Sequence, residues 1–111
     1  MDEPVQTERP VRVRIPSALP TSLVGEYTVQ LSDIDLNGHM NNTNYPRILC
    51  NCLPNARKLR VRSIGIYFPN DAPLGETLKI YMSRADNRYY FRTVRSDGKT
   101  NVEAELIVEE I

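Results

Sequence analysis

Apolar and polar positions alternate along most of the chain and change to a helical spacing in one short stretch. Tyr27, Val29 and Leu31 alternate with Glu26, Thr28 and Gln30, which predicts a half-buried strand from Gly25 onward. Ile48, Leu49, Cys52 and Leu53 follow helical spacing, and Pro54-Asn55 ends it. Pro46 is tolerated only in a first turn, so the cap is expected near Asn42 to Asn44 and the helix over 43–53. The remainder reads as four strands over 59–68, 76–85, 89–94 and 100–109. Asp86-Asn87 and Ser96-Asp97-Gly98-Lys99 supply hairpin turns, and Val102, Ala104, Leu106 and Val108 alternate with polar neighbours in the last strand. One strand, one helix and four antiparallel strands predict an α+β layer arrangement.

Ahead of this pattern lies a segment with four of the eight prolines: Pro4, Pro10, Pro16 and Pro20. Val11, Val13 and Ile15 alternate with Arg12 and Arg14, which suits a short edge strand stopped by Pro16. Residues 1–22 are therefore read as an N-terminal arm or linker and 23–111 as a single domain, a division that the length of 111 residues supports.

Charge and composition narrow the function classes. Fourteen Lys+Arg balance fourteen Asp+Glu, which disfavours a nucleic-acid partner. No apolar run reaches the roughly 18–20 residues of a membrane-spanning helix, so no membrane partner is expected. Met1-Asp2-Glu3-Pro4 has neither the basic nor the apolar region of a secretory signal, and the expectation is a cytoplasmic protein. Cys50 and Cys52 are too close for a usual disulfide staple. With one histidine, His39, they fall short of a zinc set, so no metal or other cofactor is expected.

The chemistry concentrates between Asp33 and His39. Two carboxylates, a carboxamide and the sole imidazole fall within seven residues, just before the predicted helix. A helix start offers backbone N–H groups for an oxyanion, here near Asn41, Asn42 and Thr43, and Gly38 lets the backbone approach a ligand. A carboxylate can serve as general base or nucleophile, and an imidazole can orient a carbonyl or move a proton. The same residues also suit Asx-turns and a helix cap, and local spacing does not choose between the two. The alternate positions Asp35, Asn37 and His39 are expected to converge at the edge of a pocket.

Ser32-Asp-Ile-Asp-Leu-Asn-Gly-His-Met-Asn-Asn-Thr-Asn-Tyr45 resembles the signature of hotdog-fold thioesterases. It is most similar to that of the second hotdog domain of acyl-acyl carrier protein thioesterases, and the likeness runs from about Gly25 to the C-terminus. The resemblance implies a hotdog fold, a central helix wrapped by a curved five-stranded antiparallel sheet. It implies hydrolysis of an acyl thioester carried by acyl carrier protein or CoA, as in fatty acid biosynthesis. Asp35, Asn37 and His39 fall on the family's catalytic Asp, Asn and His, and Asp71 on a further acidic residue that is usually Glu. Ala72 stands where plant members often carry Cys, so the implied mechanism is driven by carboxylates. In that scheme Asp35 is base or nucleophile, Asn37 holds water or substrate, His39 polarises or protonates, and Asp71 orients His39 or the water.

The resembled enzymes are tandem chains of two hotdog domains, so this sequence is either an excised second domain or a single hotdog that pairs with itself. Tyr67, Phe68, Tyr81, Tyr89, Tyr90 and Phe91 exceed what one short helix covers, which predicts a homodimer or a companion hotdog domain. Tyr27, Tyr81, Tyr89, Tyr90 and Phe91 are read as core before acyl tunnel. Basic clusters at Arg57, Lys58, Arg60 and Arg62, and at Arg84, Arg88, Arg92, Arg95 and Lys99, suit an acidic carrier or simply charged strand faces. A non-catalytic acyl-binding or dimerisation module and an acyl-CoA thioesterase are the competing readings. A hotdog dehydratase is opposed by the Asn-Gly-His-Met-Asn-Asn stretch.

Overall fold

A computed structural model describes residue 13 and residues 15–54 and 56–111. The element order is β1 (Ser22–Thr28), α1 (Tyr45–Cys50), β2 (Leu59–Tyr67), β3 (Thr77–Ala85), β4 (Arg88–Val94) and β5 (Thr100–Glu110). The strands form one antiparallel sheet in the order β1-β3-β4-β5-β2, with the hairpin strands β3, β4 and β5 at its centre. Among the described residues no helix is long and apolar enough to cross a membrane.

Alternation decides which face each strand buries. Register places Met82, Phe91, Ala104 and Ile66 side by side across β3, β4, β5 and β2. The one ring of the row, Phe91, thus stands beside its smallest side chain, Ala104, and both are fully buried. Tyr89, Leu106, Ile80 and Val102 extend the same apolar face, and α1 packs on it through Tyr45, Ile48 and Leu49. That i, i+3, i+4 triplet is the whole buried stripe of the helix. The opposite face carries charge: Arg88 pairs with Glu105 and Arg92 with Glu103, the latter carboxylate being almost wholly buried.

Three expectations change. The helix is shorter than 43–53: Asn42–Asn44 form a 3-10 turn, and only Tyr45–Cys50 are α-helical, with Pro46 in the first turn as expected. The cap of the 3-10 turn is Asn41, whose Oδ1 accepts the Thr43 N–H at 3.0 Å, so tight bonding to the cap consumes the first turn. β1 ends at Thr28, and Leu31, expected inside the strand, is 74% exposed. Val29 still bonds to Gly75 and Glu76, and the chain leaves the sheet at the next residue, where the Gln30 N–H turns to the Asp33 carboxylate and the Gln30 carbonyl to the Asp33 N–H. The strand suggested around Val11, Val13 and Ile15 falls mostly outside the described residues. The aromatic residues divide: Tyr89 and Phe91 are core, Tyr90 is buried on the charged face, and Phe68 is 38% exposed against Tyr45.

Tyr45 is 2% exposed, and burial pushes its phenol up to about 12, with a hydrogen bond to Asn101 opposing and the charge of Asp71 adding. A folded-state value above the unfolded 10.0 means that this contribution to stability is complete below pH 10 and is lost as pH rises through 12. Chemical denaturation as a function of pH should show stability falling across that window. Tyr45→Phe should flatten the fall in part, because Tyr27 and Tyr90 are also raised.

Candidate active site

The segment Asp35-Leu36-Asn37-Gly38-His39 closes a tight hairpin. Ile34 and Met40 face each other as bridge partners, the Asp35 N–H donates to the His39 carbonyl at 2.9 Å, and the Gly38 N–H to the Asp35 carbonyl at 3.1 Å. Gly38 has φ 81°, the left-handed position that follows a type I turn in a three-residue hairpin and that other side chains resist. Asp35 occupies the first turn position, and its Oδ1 accepts the Asn37 N–H at 2.9 Å. Leu36 at the tip is fully exposed.

A second strand of chain, residues 70–73, lies against this hairpin. The Met40 N–H donates to the Ala72 carbonyl at 2.8 Å, and His39 bridges Pro73. Asp71 thereby meets His39, with Oδ2 3.5 Å from Nδ1. Both side chains are open to water, 43% and 74% exposed, so the attraction is screened and acts on ring orientation more than on stability. Asp35, Asn37, His39, Met40, Asn41, Asn42 and Asp71 line one open cavity of about 620 Å³. Gly38 and Thr43 lie outside that lining. The Asn41 N–H is bound to the Asp33 carbonyl and the Thr43 N–H to Asn41 Oδ1. This corrects the expected oxyanion donors: of the three, only the Asn42 N–H has no acceptor among the described residues.

Asp33 and Asp35, close in sequence, have opposite surroundings. Asp33 is 4% exposed; its Oδ2 accepts the Tyr27 hydroxyl at 2.7 Å and the Gln30 N–H at 2.9 Å. Its carbonyl takes the Asn41 N–H and, at 3.0 Å, Asn44 Nδ2. Arg47 stands 3.8 Å from its other carboxylate oxygen. Asp33 is thus the anchor that ties the hairpin to β1 and to the start of α1, a role that local spacing does not signal. Its hydrogen bond is the largest cause of the raised phenol of Tyr27.

Burial pushes the thiols of Cys50 and Cys52 up, away from the thiolate that a nucleophile needs. The basic clusters are largely paired: Arg60 and Arg62 with Glu109, Arg88 with Glu105, Arg92 with Glu103 and Arg95 with Asp97.

Residues 17–109 match the family model described as acyl-ACP thioesterase C-terminal domain. An acyl-ACP thioesterase from Bacteroides thetaiotaomicron superposes with a TM-score of 0.78 at 23% identity, over 97% of this chain and 44% of that one. The chain therefore spans less than half the length of that relative. A hypothetical protein from Staphylococcus aureus, solved in complex with CoA, gives 0.71 at 19% identity, over 81% of this chain and 77% of that one. A 1,4-dihydroxy-2-naphthoyl-CoA thioesterase from Synechocystis gives 0.66 at 14%, over 83% and 84%. No curated protein matches the sequence significantly.

Asp33→Ala should leave the Tyr27 hydroxyl and the Gln30 N–H without their acceptor and cost about 2–4 kcal/mol, measured by urea denaturation. In the same variant, ultraviolet titration should find the Tyr27 phenol moved down toward its ordinary value.

Proposed function

From the premise that the chain belongs to the acyl-ACP thioesterase C-terminal domain family, with its hotdog fold, we propose that it hydrolyses an acyl thioester. The observation that carries this reading is the shared cavity: a turn-held carboxylate, a carboxamide, an imidazole and a second carboxylate face one open space. Asp35 is the general base or nucleophile, since the hairpin engages Oδ1 and leaves Oδ2 for water or the acyl carbon. Asn37 holds water or substrate. Asp71 faces Nδ1 of His39, which favours the proton there and leaves Nε2 toward the reaction. Attack on the carbonyl carbon places charge on its oxygen, where the Asn42 N–H is a donor. Collapse breaks the C–S bond, and the departing sulfur takes the proton that the attacking water gave up to Asp35 or to Nε2 of His39, leaving as free thiol. On the nucleophile route Asp35 holds the acyl group as an anhydride, which water then cleaves to the acid.

The proposed substrate class is an acyl group on a carrier protein or on CoA. The paired arginines weaken the case for a strongly acidic carrier surface as the main attraction, and a fold neighbour solved with CoA keeps that carrier in view. Free, half-buried thiols suit a cytoplasmic setting, and the family likeness suits a place in fatty acid metabolism. We also propose that the acyl chain is enclosed by a second body, either another copy of this chain or a companion hotdog domain. Edge strand β2 exposes Val61 and Ile64, at 37% and 38%, beside the half-covered Phe68. A non-catalytic module within a longer enzyme is the second reading, favoured by the 44% share of the Bacteroides structure that the chain spans.

Asp35→Asn and His39→Ala should each lower thioester turnover by ~10²–10⁴, the scale for a lost acid–base group, whereas Cys50→Ser and Cys52→Ser should leave it unchanged. Free thiol release from carrier-protein and CoA thioesters is the assay; folded Asp35→Asn with wild-type turnover refutes the mechanism. Sedimentation equilibrium at micromolar concentration should return twice the 12.7 kDa chain mass, and a stable monomer would remove the homodimer.

A further inference from the structure

The β4–β5 ladder steps from Thr93 opposite Val102 to Val94 opposite Thr100, which makes Asn101 the extra residue of a β-bulge. Bulges turn a side chain away from the direction that alternation dictates. Here the turned side chain is polar and 1% exposed, and its hydrogen bonds lead toward the cavity. Asn101 Oδ1 accepts the Thr93 hydroxyl at 2.9 Å, and Nδ2 donates to the Asn70 carbonyl at 2.6 Å. The Asn101 carbonyl accepts the Asn70 N–H at 3.4 Å, and Asn70 Nδ2 donates to the Thr100 carbonyl at 2.8 Å. Asn70 is therefore held to β5 by backbone and side chain together. The next residue is Asp71, whose carbonyl accepts Nη1 of Arg95 at 3.0 Å, and the one after, Ala72, holds Met40.

We propose that Asn101 is a positioning residue: its bulge carboxamide locks Asn70, and through Asn70 sets the carboxylate of Asp71 against His39. The exposed Asp71–His39 pair does not hold itself together, because a screened contact at 3.5 Å carries little energy. The buried carboxamide, with its donor and acceptor both engaged, is stiff enough to do so, and loss of either bond leaves a buried polar group unsatisfied. The catalytic meaning of this lock rests on the thioesterase reading; the lock itself does not.

The test uses the single histidine of the chain as its reporter. Ring-nitrogen resonances of His39 are recorded at one pH in wild type, Asp71→Asn, Asn101→Ser and Asn70→Ala. Asp71→Asn should displace them, Asn101→Ser should displace them at least halfway to the same values, and Asn70→Ala by less in the same direction. Folded Asn101→Ser with wild-type resonances overturns the proposal, as does Asp71→Asn without displacement. Should Asn101→Ser fail to fold, Asn70→Ala decides: displaced resonances support the lock, unchanged ones overturn it. In turnover of an acyl thioester, Asn101→Ser should lower kcat by ~10–10² fold with KM unchanged, the scale of a misplaced group. Combined with Asp71→Asn it should lose no more than Asp71→Asn alone, and additive losses overturn the lock. Wild type without thioester turnover sinks the thioesterase reading and leaves the lock to the ring resonances.

Discussion

The buried carboxylate of Asp33 is the constraint on which the site depends. A carboxylate out of water needs partners in place of the water, and here the Tyr27 hydroxyl and the Gln30 N–H fill Oδ2 while the Arg47 guanidinium stands 3.8 Å from Oδ1. Those two donors belong to β1 and to the turn that leaves it, so the carboxylate fixes where the chain departs from the sheet. The backbone carbonyl of the same residue then takes the Asn41 N–H and Asn44 Nδ2, which fixes where the hairpin ends and the helical turns begin. Everything between, including Asp35, Asn37 and His39, is suspended from these two anchorages.

The two neighbouring aspartates thus have opposite surroundings, and the proposed chemistry falls to Asp35 alone. Asp33 spends Oδ2 and its backbone carbonyl on the fold and is buried away from the cavity. Asp35 gives one oxygen to the turn and keeps the other at the cavity. Rigidity is supplied from buried groups on one side, and the proposed reactive groups are exposed on the other. The same arrangement recurs across the cavity, where the buried Asn101 supports an exposed Asp71.

The sheet is finished on one face and open at its edges, where β1 exposes Leu23 and β2 exposes Val61 and Ile64. Its charged face is laced by cross-strand pairs such as Arg92 with Glu103, while its apolar face is capped by a helix of only six residues. Such a helix buries Tyr45, Ile48 and Leu49 and leaves the β2 end of the face partly in water, with Val61 and Ile64 exposed. A short helix and an open edge are two sides of one fact: the hydrophobic layer of this fold extends beyond what a single copy covers.

The sequence by itself determined the five strands, their antiparallel hairpins and the helix between the first two, because alternation and turn residues act between near neighbours. It also marked the hairpin of Asp35, Asn37 and His39, since an Asp opening a turn and a Gly in the left-handed position bond within five residues. Tertiary structure decided the rest. The helix lost length to a 3-10 turn bonded to Asn41, and Leu31 left the strand because Asp33 claimed the N–H and the carbonyl of Gln30. Asp33 reads like Asp35 until Tyr27 folds over it, and Asn101 reads as an outward polar position until the bulge turns it inward. Asp71 came to its position by resemblance alone, and its meeting with His39 rests on the proposed lock from Asn101 in β5 and on the Arg95 bond from just past β4. Bonds between distant parts of the chain leave no period in the sequence, because the distance along the chain at which they act is set by the fold and not by any local repeat.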